Sequence, residues 1–330
     1  MTRLRVGCVG TGFIAGRHLA ALSTFDDVEV VAVADVAGDR AREVAERYGA
    51  RPYDDGLALL AQEELDAVWL CVPPFAHGPL ENAALDAGLP FFVEKPLAVD
   101  LAGAARIADR VRETGLLTCV GYHWRSLSVV RQARAALGDS PVQLLTGAWL
   151  DSTPAAPWWS RRGQSGGQLV EQTTHLVDLA RLLAGEVETV QSLEVTGARQ
   201  AWPDADVPTA STMLLRFESG AVGSIASSCV LDRRRHVGLQ VVSEGQLVDL
   251  REAALSDHEL RVVGSGGEQV FRSDEDPIGC EDRAFVDALL GRGVAPVPYD
   301  EALRTHAVVC AADRSAQEGG TVVPVGVSGA

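Results

Sequence analysis

The chain carries 29 lysines and arginines together but a single lysine, Lys95, in Glu94-Lys95-Pro96. Arginine stays protonated and presents a wide fork. Lysine is a compact charge whose pKa falls on burial, so it alone of the two can give or take a proton near neutral pH. Its retention is either an accident of composition or the mark of a proton-transfer site. A second group is Glu171, His175 and Asp178, spaced by four and three. On one helix they share a face, and a histidine with a carboxylate one turn away on each side suits general acid/base work. The same spacing also describes a solvated face with i,i+4 pairs.

A third group is Gly10-x-Gly12-x-x-Ala15, with Phe13 and Ile14 inside it. It directly follows an apolar run and opens a helical pattern. The first glycine permits the tight turn, the second lets the backbone approach a pyrophosphate, and the small third residue lets helix pack on strand. Asp35 follows 23 residues after Gly12 at the end of the next apolar run. An acid there bonds the ribose hydroxyls of NAD and repels a 2′-phosphate, whereas Arg40 nearby could accommodate one. NAD is therefore the expected cofactor, with NADP left open.

These groups need a sheet to position them. Apolar runs at 4–10, 28–35, 67–72, 90–96 and 116–122 alternate with helical patterns at 14–22, 38–49, 79–88 and 101–115. Short buried strands separated by helices predict a parallel α/β sheet covered on both faces, a dinucleotide-binding Rossmann domain. Its strand ends would deliver Cys71, Pro73, Pro74 and His77 on one loop, and Glu94 with Lys95 on another, to the cofactor edge. His77 reads equally as a helix cap. After residue 122 the pattern becomes long strands at 142–150, 187–197 and 210–230, the last broken by a hairpin turn at Glu218-Ser219-Gly220, then hairpins breaking at Glu244-Gly245 and at 264–267. This predicts a second α+β domain, 123–330, with a large, open, mostly antiparallel sheet. One continuous helix is expected at 166–184, and two more near 281–291 and 300–317.

Net charge is −16, which argues against a nucleic-acid or acidic-membrane partner. The six cysteines are widely spaced, with no C-x-x-C pair. That pattern suits a reducing compartment better than a disulfide framework or zinc site, and no metal is expected. With no leader-like segment and no apolar stretch of about 18 residues, a cytoplasmic location is expected.

In order, "GTGFIAGRH", "CVPPFAH", "EKP" and "GGQLVEQTTH" resemble the Gfo/Idh/MocA family of NAD(P)-dependent oxidoreductases, and the likeness covers nearly the whole chain. The resemblance implies hydride transfer between a nicotinamide and a hydroxyl or ketone carbon of a sugar or cyclitol. It implies that Lys95 hydrogen-bonds the reacting oxygen and that His175 is the acid/base. Glu171 stands where many members have aspartate, and Gln172-Thr173-Thr174 replaces small apolar residues, which points to a distinct substrate. Arg125 matches an arginine near cofactor or substrate. Pairing through the open sheet face into a homodimer or homotetramer is also implied.

Trp158 and Trp159 lie on the loop entering the 166–184 segment. They suit either the walls of a sugar pocket or the plugging of an interface; Gln172 and Arg125 complete the expected substrate set. Two other functions fit the same residues: an NAD-dependent glycoside hydrolase with a transient redox cycle, and a non-catalytic NAD sensor. The Lys95 and His175 pair argues against the sensor.

Overall fold

The computed structural model describes residues 3–197, 199 and 202–326. They form two compact units. The first holds the chain up to Ala98, Ala102–His123 and Ile278–Leu303; the second holds Val99–Leu101, Trp124–Pro277 and the residues from Arg304 on. The sequence reading gave everything after 122 to the second domain, so the return of Ile278–Leu303 is a difference. Its cause is packing: Phe285 lies edge-on to Trp69 at 5.4 Å and beside Phe92 at 6.0 Å. Periodicity within a helix does not say which of two sheets its apolar face will meet.

In the first unit, β1 (Leu4–Val9), β2 (Val28–Ala34), β3 (Arg51–Tyr53), β4 (Ala67–Leu70), β5 (Phe91–Val93) and β6 (Thr118–Val120) form a sheet ordered β3-β2-β1-β4-β5-β6. Every pairing is parallel. Strands β4, β5 and β6 are buried along their whole length, as two covered faces require. The linking helices are α1 (Phe13–Leu22), α2 (Gly38–Tyr48), α3 (Gly56–Gln62), α4 (Pro79–Asp86) and α5 (Leu101–Thr114). Ala15, His18, Leu19 and Leu22 form the buried stripe of α1 at helical spacing. The sequence reading missed β3 and α3. Both are short, and Pro52 suits only an edge strand. The signal for α3 was Asp55, whose carboxylate caps the helix by accepting from Leu57 N at 3.0 Å.

The second unit contains α6 (Ser128–Leu137), β7 (Val142–Leu150), α7 (Arg162–Ser165), α8 (Gly167–Glu171), α9 (Thr174–Ala184), β8 (Val187–Val195), β9 (Ala210–Phe217), β10 (Val222–Ser228), β11 (His236–Ser243), β12 (Gln246–Ala254), β13 (Asp257–Gly264), β14 (Gly267–Ser273) and β15 (Val323–Pro324). Helices α10 (Pro277–Leu289) and α11 (Tyr299–Gln317) are shared out between the units. The sheet runs β14-β13-β12-β11-β7-β10-β9-β8-β15. It is antiparallel except where β10 runs parallel to β7. One face is buried: Leu145, Met213, Ile225, Leu239, Val241 and Leu250 pack with Val130, Leu176, Ala180 and Val308 from the helices. Each such Val, Leu, Ile or Met side chain contributes roughly 1.5–3 kcal/mol of burial. On the other face Leu144, Leu193, Val195, Leu214, Val222, Val263 and Val270 are exposed. Among the described residues no helix is long and apolar enough to cross a membrane. All six cysteines are free thiols.

Candidate active site

The glycine loop leaves β1 at Gly10, whose φ of +89° only glycine adopts without strain. A Cβ there would also stand 2.2 Å from the Cys71 carbonyl oxygen. At Gly12, which opens α1, a Cβ would meet nothing within 4 Å. The surface above the helix N-terminus is therefore open, with backbone N–H groups available to an anion. Phe13 is 81% exposed beside it, and Ile14 is half-buried. Asp35, at the end of β2, accepts from Thr11 N at 2.9 Å, Thr11 Oγ1 at 2.8 Å and Ala37 N at 2.9 Å. Arg40 forks onto both of its oxygens at 2.7 and 2.8 Å. Burial alone would raise the Asp35 pKa, but Arg40 and these N–H donors outweigh it and hold the carboxyl below its usual range. The residues thus fit a dinucleotide: an open cradle at a helix N-terminus and an ionised acid one strand away. Arg40, which the sequence left ambiguous, partly neutralises that acid.

Cys71 is buried, and its thiol is pushed well up by the Cys8 thiol and by burial, so it stays neutral. It shapes the loop through its carbonyl. Pro73 precedes a turn of 3-10 helix, Pro74–Ala76. The cap that sequence offered to His77 belongs instead to Glu81. One Glu81 oxygen accepts from Gly78 N at 2.5 Å, and the other lies 2.5 Å from His77 Nδ1. The carboxylate thereby fixes the orientation of the His77 ring. Glu94 and Lys95 leave β5 at the same sheet edge as Gly10 leaves β1, and a cis peptide joins Lys95 to Pro96. Glu94 is buried; its Oε2 accepts from Lys95 N at 3.1 Å and its Oε1 lies 3.1 Å from His18 Nε2.

In the second unit the expected continuous helix is broken. Thr173 N bonds the Gln168 carbonyl five residues back at 2.9 Å, a wide turn that ends α8 before α9 begins. The cause is side-chain anchoring to β10. Thr173 Oγ1 meets Ser227 Oγ at 2.7 Å, and Gln168 Nε2 reaches the Ser228 carbonyl at 3.2 Å. Such widened turns occur often at functional sites. Glu171, His175 and Asp178 therefore do not share one helical face. Glu171 accepts from Trp159 Nε1 at 2.7 Å. Asp178 takes the Arg125 fork at 2.6 and 2.7 Å, with a further bond from Thr305 Oγ1 at 2.8 Å. Arg125, expected near ligand, is thus one half of a buried ion pair. Buried His175 stacks on Trp149, with centroids 5.9 Å apart and planes 21° from parallel. The Arg234 guanidinium lies 5.4 Å from the same indole and also pairs with Asp151 and Glu252. Trp159 is buried with Val207 and Cys229, while Trp158 and Gln172 stay half-buried.

Sequence reasoning missed His18, Glu81, Trp149 and Arg234. His18 had a signal, since it closes the quoted "GTGFIAGRH" and falls on the buried stripe of α1. Trp149 and Arg234 had none, because 85 residues of chain separate partners that only the β7–β11 pairing brings together.

Comparison with known proteins agrees with this layout. Residues 4–122 match the oxidoreductase family with an NAD-binding Rossmann fold, and residues 134–268 match the Gfo/Idh/MocA C-terminal domain. The chain is 30% identical to myo-inositol 2-dehydrogenase of Thermotoga maritima over 68% of each chain. It is 26% identical to D-apiose dehydrogenase of Paraburkholderia graminis over 97% of this chain and 89% of that one. The WlbA dehydrogenase of Bordetella pertussis, crystallised with NADH and UDP-GlcNAcA, superposes with a TM-score of 0.86 at 24% identity, covering 98% and 99% of the two chains. Levoglucosan dehydrogenase with NADH and levoglucosan gives 0.87 at 20% identity, covering 99% and 100%. These two structural likenesses speak for the fold.

Proposed function

We propose, for a chain that belongs to the Gfo/Idh/MocA oxidoreductase family, the role of an NAD-dependent dehydrogenase acting on a hydroxyl-bearing carbon of a sugar or cyclitol. The observation that carries this reading is that one edge of one parallel sheet presents both the open glycine cradle with Asp35 and the chain's single lysine. Relatives named for inositol and apiose support the substrate class.

A bound nicotinamide supplies the hydride acceptor. The protein's part is to bind, orient and move a proton. Gly10, Gly12 and the α1 N-terminus hold the pyrophosphate, and Asp35 holds the ribose. Phe13, Ile14 and the 71–77 loop line the cofactor edge. Lys95 hydrogen-bonds the substrate oxygen, and His175 takes the hydroxyl proton as the C–H hydride leaves and the carbonyl forms. Glu171, held by Trp159, and half-buried Gln172 and Trp158 bound the sugar. Arg125 acts through Asp178 on the helix that carries His175. Self-association uses the exposed apolar face of the nine-stranded sheet. A contiguous patch of this kind on one face is the mark of an interface, and a second copy supplies its complement. Six free cysteines and an acidic surface support a reducing, cytoplasmic setting without nucleic-acid or membrane partners.

The test is a panel of polyols, sugars and aryl glycosides followed by NADH absorbance and product analysis. Net NADH from a free polyol or sugar is expected. Aglycone release without net NADH would favour a hydrolase, and tight NAD binding without turnover a sensor. Calorimetric titration of both cofactors should show NAD preferred, with Asp35→Ser narrowing the gap and Arg40→Ala widening it. Equal or tighter binding of NADP by the wild type would remove Asp35 from this role.

A further inference from the structure

Beneath the lysine turn lies a buried array that the proposed chemistry does not use. His18, on α1, is fully buried. Its Nδ1 lies 2.8 Å from Asp282 Oδ1 and its Nε2 lies 3.1 Å from Glu94 Oε1. Asp282 Oδ1 also accepts from Trp69 Nε1 at 2.8 Å, and Phe92 meets the imidazole edge-on at 4.9 Å. The second Glu94 oxygen accepts from the backbone N–H of Lys95. The Glu94 carboxyl is walled in from behind by Gly121, where a Cβ would stand 2.7 Å from Oε1. Four segments remote in sequence therefore converge on one backbone turn: α10, α1, β5 and the end of β6.

We propose that His18 is a positioning residue for Lys95. Bridging Asp282 and Glu94, it fixes the turn from which the lysine projects and ties that turn to the helix of the glycine loop. The inference rests on the reading that Lys95 acts on the substrate. The two-sided geometry defines the state of the ring. With a carboxylate oxygen facing each nitrogen, an imidazolium satisfies both contacts, whereas a neutral ring donates only one. Burial lowers the His18 pKa, but the facing Asp282 and Glu94 carboxylates outweigh it and hold the group well above its ordinary value. The other titratable groups around it are Glu281, within 4.8 Å of His18 and Glu94, and the Cys71 and Cys119 thiols, both pushed well up and neutral. The imidazolium partly balances the charge of a cluster with three carboxyl groups. This holds the Glu94 carboxyl turned toward the Lys95 N–H, where a buried charge left unbalanced would favour swinging out.

The experiment uses the full chain and two readouts that need no turnover. Nitrogen NMR of the wild type should show the His18 ring, assigned by its loss in His18→Asn, protonated on both nitrogens at pH 8. A neutral ring there overturns the proposal. Because Lys95 is the only lysine, an amine-selective reagent labels one side chain besides the N-terminal amine, and peptide mapping then reports the presentation of Lys95 in the absence of ligands. His18→Asn and Gly121→Ala, the latter displacing Glu94 while leaving His18 intact, should each change the Lys95 labelling rate severalfold. An unchanged rate in both overturns it. With substrate, both variants should lose roughly 10–100-fold in kcat, the scale on which ångström misplacements act, with KM changed far less. His18→Gln, whose longer side chain can carry its amide N–H toward the Nε2 position that faces Glu94, should recover part of the His18→Asn loss. Failure of the Lys95 reading looks different: Lys95→Ala would then retain activity while the ring signature and labelling shifts persist.

Discussion

The two units hold their reactive groups by opposite means. In the first, Lys95, His77 and Asp35 each sit at the end of a charged hydrogen-bond chain: Asp282–His18–Glu94, Glu81, and Arg40 with Thr11. In the second, His175 rests on the Trp149 ring, on a helix whose apolar face is packed into the sheet, with one buried ion pair, Arg125–Asp178, below. The difference follows from where the groups emerge. Strand-end loops of a parallel sheet have no packed face of their own and must be tied by specific bonds. A helix laid on a sheet is oriented mainly by its packing, with polar anchors added where its register changes, as at Thr173, and where a buried charge must be paired, as at Asp178. Hydrogen-bonded placement is exact but depends on charge state, whereas packed placement tolerates pH and salt and fails when volume is removed.

The largest effects should come from the reactive groups themselves. His175→Ala should lower kcat by roughly 10²–10⁴-fold, and Lys95→Arg should be nearly as damaging as Lys95→Ala, since arginine keeps the charge but cannot share its proton. Steady-state kinetics with NAD affinity measured alongside checks this. Activity within a few-fold of wild type in either unit would mean that only the other unit carries the chemistry.

Next is a charged anchor of α9 in the second unit, the Arg125–Asp178 pair. Asp178→Ala leaves Arg125 buried without its carboxylate and should cost about 3–5 kcal/mol in denaturant unfolding. A loss under about 1 kcal/mol would show that packing alone holds the helix.

Trp149→Leu should then cost about 3–10-fold in kcat, the scale of a lost ring contact, with little change in its pH profile. If the pH profile shifts as much as the rate falls, His175 is held by charge after all, through the Arg234 that shares the indole.

The smallest effect separates rim from interior in the first unit. Asp27, hydrogen-bonded first by Arg283 and also by Arg292, has its pKa lowered from 3.8 to about 2. A depressed folded pKa stabilises above the unfolded value, and that contribution is lost as pH falls from about 4 toward 2. Asp27→Asn should destabilise by about 1 kcal/mol or less at pH 7, with the difference vanishing near pH 2. The His18 array has the opposite sign: with its pKa raised, its contribution is complete below about 6.5 and fades as pH rises through the folded value. Thermal unfolding of both variants across pH 2–9 checks the contrast; parallel curves would remove it.

What the sequence determined by itself was whatever is local. The glycine loop, Asp35 and the lone lysine at a strand end were legible because strand, turn and helix follow one another within a few residues, and parallel β/α topology delivers all strand ends to one edge. The hairpins of the second sheet were legible from Glu218-Ser219-Gly220 and Glu244-Gly245 for the same reason. Long-range partners were not. Glu171 looked like a flanker of His175 because one ideal helix was assumed; a widened turn, tied to Ser227 and Ser228 on another strand, put it on α8, while Asp178 stayed one turn from His175 on α9 but took Arg125 as its partner. His18 meets Asp282 across 264 residues. Only the tertiary structure could join them, because the energy that makes a buried histidine seek two carboxylates exists only once the core has excluded water, and no spacing along the chain records which groups the core will enclose.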